Sequence, residues 1–123
     1  MMALAMGSIS WTMAFDAGPH QDLTIAAMLD GGFSADAYNI ARIENWLVDY
    51  YSNQGPFQDE LALLHFDNLT TEHTVHVYWG LLANNSRRAL QAAAIENDAF
   101  KALCILGMSL HAVQDFYAHS TWA

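Results

Sequence analysis

The sequence predicts an all-α protein, a multi-helix bundle of about five helices. Apolar residues recur at steps of three and four along most of the chain, which is the spacing of one face of a helix. Runs that alternate apolar and polar residues, as strands do, are nearly absent. The chain has 123 residues, of which 54% are hydrophobic and 14% charged. That composition fits one compact domain and excludes intrinsic disorder.

The first half of the chain predicts two helices. A short helix is expected from residue 21 or 22 to residue 30, where two consecutive glycines end it. Ser34 is placed to cap a second helix that extends to about residue 51. Four residues at helical spacing form the expected core stripe of this second helix: Ile40, Ile43, Leu47 and Tyr50.

The second half predicts a loop over 52–58 and a helical turn within 59–69 that leads into another loop. A helix is expected from Thr71 to about residue 82, broken by 84–86, with Ser86 capping a further helix to residue 95. Asn97 or Asp98 then caps the longest helix, which reaches about residue 119. Its expected core stripe is Phe100, Leu103, Gly107 and Leu110.

Charge and cysteine content narrow the function classes. The chain has 13 acidic residues against 4 basic ones and a formal charge of −9 with neutral histidine. Because such a surface repels phosphate backbones, stable nucleic-acid binding is not expected. A phosphoester substrate is still compatible with this charge, since bound cations can invert the potential of one cleft. The single cysteine excludes an internal disulfide and a multi-thiolate zinc site.

Residues 1–14 are apolar and rich in small side chains, as at the end of a secretory signal. Thr12-Met13-Ala14 offers a small-x-small cleavage site, although a frayed N-terminus is the alternative. With a signal remnant the protein would be secreted or periplasmic, and without one its location is unknown. Residues 15–123 then form a single helical metal-binding domain. No apolar run approaches the roughly 20 residues of a membrane-spanning helix.

The segment LHAVQDFYAHS of the last helix places His111, Asp115 and His119 at steps of four. Each such step rotates only about 40° around a helix, so the three side chains share one side. Histidine and aspartate are zinc ligands. The first and third residues lie about 12 Å apart along the helix, too far for one tetrahedral ion. The spacing suits two ions bridged by Asp115, which indicates a hydrolytic centre. The alternative is structural histidines, one bonded to Asp115 and one favoured by the helix dipole.

Other candidate ligands lie earlier in the chain. His20 follows a rigid Gly-Pro pair at a predicted helix start. In the segment HFDN, Asp67 is placed to reach a metal and His65 to support it, although an Asx-turn also explains the aspartate. His73 and His76 share a helix face, and the residues alone do not choose between them. Five aromatic residues are expected in the core, with lipid contact as the alternative for some: Trp46, Tyr50, Tyr51, Tyr78 and Trp79.

The stretch LGMSLHAVQDFYAHSTW strongly resembles the zinc-dependent phospholipase C and S1/P1 nuclease superfamily. It is most similar to the bacterial and fungal branch that resembles the heterokaryon-incompatibility protein Het-C, whose members carry LHxxQDFxAHSxW. The segments FDAGPHQDLT and HFDN look like earlier blocks of the same family. The resemblance implies an all-helical fold around three zinc ions that hydrolyses phosphoesters.

The resemblance also assigns roles to single residues. His20 matches the first zinc-binding histidine, and Asp67 matches an aspartate at the metal cluster that acts as general base. His76, or with less support His73, matches the histidine that follows. His111 matches the next ligand, and Asp115 matches the bridging carboxylate. His119 matches the first ligand of the remaining ion. Gln114 and Asn68 are expected to hydrogen-bond the ligands.

In the family, a further histidine and a carboxylate follow the last of these positions, so the sequence predicts an incomplete third site and a fold that lacks its C-terminal part. The favoured hypothesis is a zinc-dependent, phospholipase C-like hydrolase that acts on a phosphoester or phospholipid, with transient contact to a membrane surface. The first alternative is a non-catalytic Het-C-like metal-binding module or an inactive truncated homologue. The second is a helical fragment without metal.

Overall fold

The computed structural model describes residues 17–54, 56, 58–66 and 69–119, and within these residues all regular structure is helical. The all-α class predicted from the sequence is therefore confirmed for this part of the chain. The proposed signal remnant over 1–14 lies outside it. The elements in chain order are α1 (Ala17–Asp30), α2 (Ala35–Asn53), α3 (Gln58–Ala62), a 3-10 turn (Leu63–His65), α4 (Glu72–Ile95) and α5 (Ala99–His119).

The helix caps follow the sequence closely. The Ser34 hydroxyl accepts a hydrogen bond from the backbone N–H of Ala37 and begins α2, as predicted. The Asp98 carboxylate accepts from the N–H of Lys101 at 2.9 Å and begins α5. Helix α1 begins earlier than expected, at Ala17, because a proline in the first turn of a helix removes no intrahelical hydrogen bond.

The predicted break at 84–86 is wrong, since α4 continues through it. Two of the three polar side chains that suggested a break have partners along or beside the helix. Asn84 accepts a hydrogen bond from Arg87 one turn later, and the Ser86 hydroxyl pairs with the Ser109 hydroxyl of α5 at 2.7 Å. Asparagine and serine in a helix interior cost only a few tenths of a kcal/mol, roughly, which these contacts offset.

The core stripe predicted for α2 is only partly correct. It is wrong at Ile43 and Tyr50, which are exposed, whereas Ile40 and Leu47 are half-buried; the buried residues of this helix are Ala41, Asn45 and Val48. The reason is the close approach of α5, which selects small and polar side chains for the contact. In α5 the stripe is correct at buried Gly107, whereas Phe100 is exposed.

Aromatic residues divide between a core and the surface. Phe66 and Phe116 pack with Val75 and Ala112 in a buried cluster, against which Tyr78 and Trp79 lie half-buried. The expected core role is therefore correct for these last two aromatics and wrong for the three on α2, which are exposed: Trp46, Tyr50 and Tyr51. Among the described helices, none is long and apolar enough to cross a membrane.

Helix α5 is the centre of the arrangement. It packs most extensively against α2, then against α4 and the 3-10 turn, and it also contacts α1. Side chains from four different segments therefore meet on α5, although they are far apart in the sequence.

Candidate metal centre

A buried carboxylate, Asp115, lies among three imidazoles. Its Oδ2 is 2.6 Å from Nδ1 of His65 and 3.1 Å from Nε2 of His111. Its Oδ1 is 3.1 Å from Nε2 of His20. The ring of His20 stacks on that of His111, and the ring of His65 stands perpendicular to it. Each of the two Asp115 oxygens therefore faces a histidine nitrogen.

A second carboxylate, Asp49 of α2, completes the cluster at its open edge. Its Oδ1 lies 3.4 Å from Nε2 of His111 and 3.8 Å from Nδ1 of His65. The side chain of Asp49 is 34% exposed and that of His65 is 13% exposed, whereas His111 is fully buried. The cluster is thus closed on the α1 side and reaches solvent near Asp49.

The donor set and its spacing fit a single divalent ion. One ligand atom from each of Asp49, His65, His111 and Asp115 lies within 4.8 Å of all the others. In a tetrahedral zinc site with bonds of 2.0–2.1 Å, neighbouring ligand atoms are about 3.3 Å apart. Nδ1 of His65 lies 2.6 Å from Oδ2 of Asp115 and 3.8 Å from Oδ1 of Asp49, and these two distances bracket that value. Imidazole and carboxylate are also the ligand types that zinc accepts. The cluster therefore has the composition and geometry to hold a metal ion.

The outer nitrogens of two of the histidines are held by side-chain amides. Nδ1 of His20 lies 2.6 Å from Oε1 of Gln114, and Nδ1 of His111 lies 3.2 Å from Oδ1 of Asn45. Amide oxygens only accept, so both imidazoles donate at Nδ1 and direct Nε2 into the cluster. The hydrogen bond between His20 and Gln114 agrees with the support expected of this glutamine.

The third histidine is oriented in the opposite sense. Nε2 of His65 lies 2.7 Å from Oγ of Ser52, whose single proton is donated to the backbone carbonyl of Val48. The serine oxygen therefore accepts from Nε2, and Nδ1 of His65 faces Asp115. In all three rings the outer nitrogen is a donor, so each ring in its neutral form presents the lone pair of the inner nitrogen, which is the arrangement found at metal-binding histidines.

Protonation of the cluster is strongly perturbed. Burial alone raises the pKa of Asp115, but hydrogen bonds with His111, His20 and His65 outweigh it and hold that pKa well below the usual range. For His20, burial lowers the pKa, and hydrogen bonds to Asp115 and Gln114 more than compensate, so the pKa lies above its ordinary value. Without a metal, a proton on His20 therefore offsets the charge of Asp115.

Local packing positions the site. A Cβ atom added to Gly107 would lie 2.3 Å from the carbonyl oxygen of Ala41, so α2 and α5 touch backbone to backbone there. One helical turn further along each helix, Asn45 meets His111.

At the other side of the site, Phe66 follows His65 with a φ of 53°, a left-handed conformation that is uncommon outside glycine. Packing of its ring against Phe116 and other buried residues supports that conformation.

The structure brings together three of the predicted site residues, His20, His111 and Asp115. His65, for which a supporting role was predicted, contributes one of the converging nitrogens itself. His76 lies apart from the cluster: it follows buried Val75 on α4, is 69% exposed, and places Nε2 3.6 Å from Glu72. The alternative at this position, His73, is exposed as well.

Three further predictions lie partly or wholly outside the described residues. Asp67 and Asn68 are not among them, and His119 is described only as the last residue of α5. The roles predicted for these residues therefore stay predictions.

Sequence reasoning missed Asp49, Asn45 and Thr24. The signal that points to them is the polarity of the α2 stripe, where Asn45 occupies a fully buried position between Ala41 and Val48. A buried asparagine requires partners, and four residues later Asp49 lies on the same face.

Comparison with known proteins places the chain in a family. A model of the VWA7 N-terminal domain matches residues 33–123, which is well over half of the chain. The matched range contains α2 to α5 and all the cluster residues except His20. No curated protein and no solved structure matches the chain. On the extent of the family match, this chain belongs to the VWA7 N-terminal domain family.

Proposed function

We propose that this domain binds zinc at the cluster around Asp115 and uses it to hydrolyse phosphoester bonds. The observation that carries the proposal is the convergence of acceptor atoms. Three imidazole nitrogens and two carboxylates face one another, while the outer ring nitrogens are already committed as donors. Buried acceptors in contact repel one another unless a cation lies between them. A divalent ion supplies that cation and releases the protons that otherwise occupy the site.

The open edge of the cluster favours hydrolysis over a purely structural role. Structural zinc sites are closed by four protein ligands, whereas catalytic sites keep one position for water or substrate. With His65, His111 and Asp115 as the three protein ligands, the fourth position of the ion is on the solvent side, next to Asp49. A bound divalent ion lowers the pKa of a water and neutralises charge on a phosphoryl group. The half-exposed carboxylate of Asp49 is placed to accept a proton at its Oδ1 on this side, and buried His20 and His111 exclude water from the other. The phospholipase C-like motif in α5 supports the same reaction class.

The first experiment measures metal binding. The full chain, stripped with a chelator and titrated calorimetrically with zinc chloride at neutral pH, is expected to bind at least one ion per chain. Asp115→Asn, which keeps the shape and removes the charge, is expected to bind at least about 10-fold more weakly. His76→Gln is the matched control, since this exposed histidine lies outside the cluster, and it should bind as the parent does. Absence of zinc binding at micromolar concentrations contradicts the proposal.

The second experiment measures turnover. The zinc-loaded chain is expected to cleave a chromogenic phosphodiester, to lose this activity on chelation and in Asp115→Asn, and to keep it in His76→Gln. Zinc binding without any turnover of phosphodiester or phosphocholine ester substrates overturns the catalytic half of the proposal and favours a non-catalytic metal-binding module.

A further inference from the structure

The two amides that hold the buried histidines converge on one hydroxyl, that of Thr24 in α1. Thr24 is completely buried, and its Oγ1 donates to the backbone carbonyl of His20 at 2.8 Å. A hydroxyl has one proton, so every other partner of this oxygen must donate to it. Nδ2 of Asn45 and Nε2 of Gln114 both lie 3.0 Å from it.

The Thr24 hydroxyl therefore fixes the orientation of both amides. With their NH2 groups directed at Thr24, the oxygens of Gln114 and Asn45 are left facing His20 and His111. The second proton of the Asn45 amide donates to Oε1 of Gln114 at 3.1 Å, which links the two amides to each other. Rotating either amide by 180° would set two acceptor oxygens against each other at the threonine and two donors against each other at a histidine, inside a fully buried site.

We propose that Thr24 is a positioning residue of the metal centre: through the two amides its hydroxyl sets both buried histidines in the tautomer with a proton on Nδ1 and a lone pair on Nε2. This inference rests on the proposed metal site for its purpose. It does not depend on that site for its test, because imidazole tautomers exist in the metal-free chain.

The experiment compares Thr24→Val with Thr24→Ser in the full chain. Valine keeps the size and removes the hydroxyl, whereas serine keeps the hydroxyl. Imidazole nitrogen chemical shifts, measured by NMR in chelated protein at alkaline pH, report the tautomers of His20 and His111. We expect the Nδ1–H form of both rings in the parent and in Thr24→Ser, and a mixture of forms at both rings in Thr24→Val. Tautomers in Thr24→Val identical to those of the parent overturn the proposal.

Zinc affinity gives the second measurement. In calorimetric titration with zinc chloride, Thr24→Val is expected to bind about 10- to 100-fold more weakly than the parent, and Thr24→Ser to recover most of that loss. If the parent binds zinc and Thr24→Val binds it with the same affinity, the positioning role is contradicted and the proposed function is not. If the parent binds no zinc, the proposed function is contradicted. The tautomers of His20 and His111 in the metal-free protein then still test whether Thr24 positions these two rings.

A third variant keeps the test decisive if Thr24→Val does not fold. Gln114→Met removes one amide at similar size and leaves the link between Thr24, Asn45 and His111 in place. We expect the tautomer of His20 alone to change and that of His111 to persist. An unchanged His20, or equal changes in both rings, contradicts the proposed chain of hydrogen bonds.

Discussion

Asp115 bears a negative charge at a position that is almost closed to solvent, and three histidines accompany it. An isolated carboxylate in such a place is costly to bury, so its surroundings must supply positive charge. The protein has two ways to do so, with a proton on His20 or with a metal ion in the cluster. These two states respond to pH in opposite directions, which gives a test of the cluster that needs no substrate.

In chelated protein we expect stability to fall as pH rises above neutrality. The raised pKa of His20 means that its stabilisation is fully present below its ordinary pKa of 6.5 and is lost as pH rises through the folded value. The lowered pKa of Asp115 means that its stabilisation is present above 3.8 and is lost as pH falls through the folded value. From these two groups, the free energy of unfolding should be highest between pH 3.8 and 6.5.

Urea unfolding across this pH range is the measurement. With excess zinc the trend above neutrality should reverse, since the metal competes with protons for the same nitrogens. The Asp115→Asn variant is the control. Loss of the carboxylate removes the main support for a charged His20, so the free energy of unfolding should fall less steeply as pH rises above neutrality. A chelated parent that becomes more stable between pH 6.5 and 8 would contradict the assignment of a charged His20.

Part of the site follows from sequence because part of it is local. His111 and Asp115 are four residues apart on one helix, and helical geometry alone places them together. The contacts of His20 and Asp49 with this pair depend on how α1 and α2 pack, which no local pattern encodes. His65 is separated from Asp115 by 50 residues, so their contact also depends on tertiary packing. For that reason the sequence predicted only a supporting role for His65, whereas the structure places it in the cluster.

At the level of elements, the contact between α2 and α5 depends on one missing side chain. We expect Gly107→Ala to destabilise the protein by about 1–3 kcal/mol, because its Cβ would lie 2.3 Å from the carbonyl of Ala41 and force the helices apart. Zinc affinity should fall with it, since Asn45 and Asp49 lie one and two turns further along α2. Thermal unfolding and zinc titration measure the two effects.

Gly80 provides the matched control, because it lies within α4, is exposed, and has nothing within 4 Å of an added Cβ. Gly80→Ala is expected to stabilise the protein by up to about 1 kcal/mol through helix propensity. Equal effects of the two substitutions would show that α2 and α5 do not depend on this contact.

Element boundaries were predictable where a local cap defines them and unpredictable where tertiary contacts do. Ser34 and Asp98 begin their helices through hydrogen bonds to residues three positions on. Ser86 instead pairs with a hydroxyl of α5 within the continuous α4, and the buried face of α2 lies where Gly107 allows α5 to approach. Neither is visible in the periodicity of a single segment.

For the whole molecule, metal binding and folding should be coupled. The cluster assembles only in the folded chain, so zinc at 100 times its dissociation constant should raise the free energy of unfolding by about 2.7 kcal/mol. Urea unfolding with and without zinc measures this. Asp115→Asn should lose the increment and His76→Gln should keep it. Equal zinc effects in the parent and in Asp115→Asn would mean that the stabilisation arises elsewhere.

Asp115 touches all three cluster histidines, and it belongs to α5, which is synthesised after α1 to α4. A nascent chain that has completed α1 to α4 already contains His20, Asp49 and His65 but lacks the carboxylate that contacts both of these histidines. In the proposed metal-binding state, capture of the ion therefore has to wait for α5, and a bound ion would report that α5 has docked onto the earlier helices.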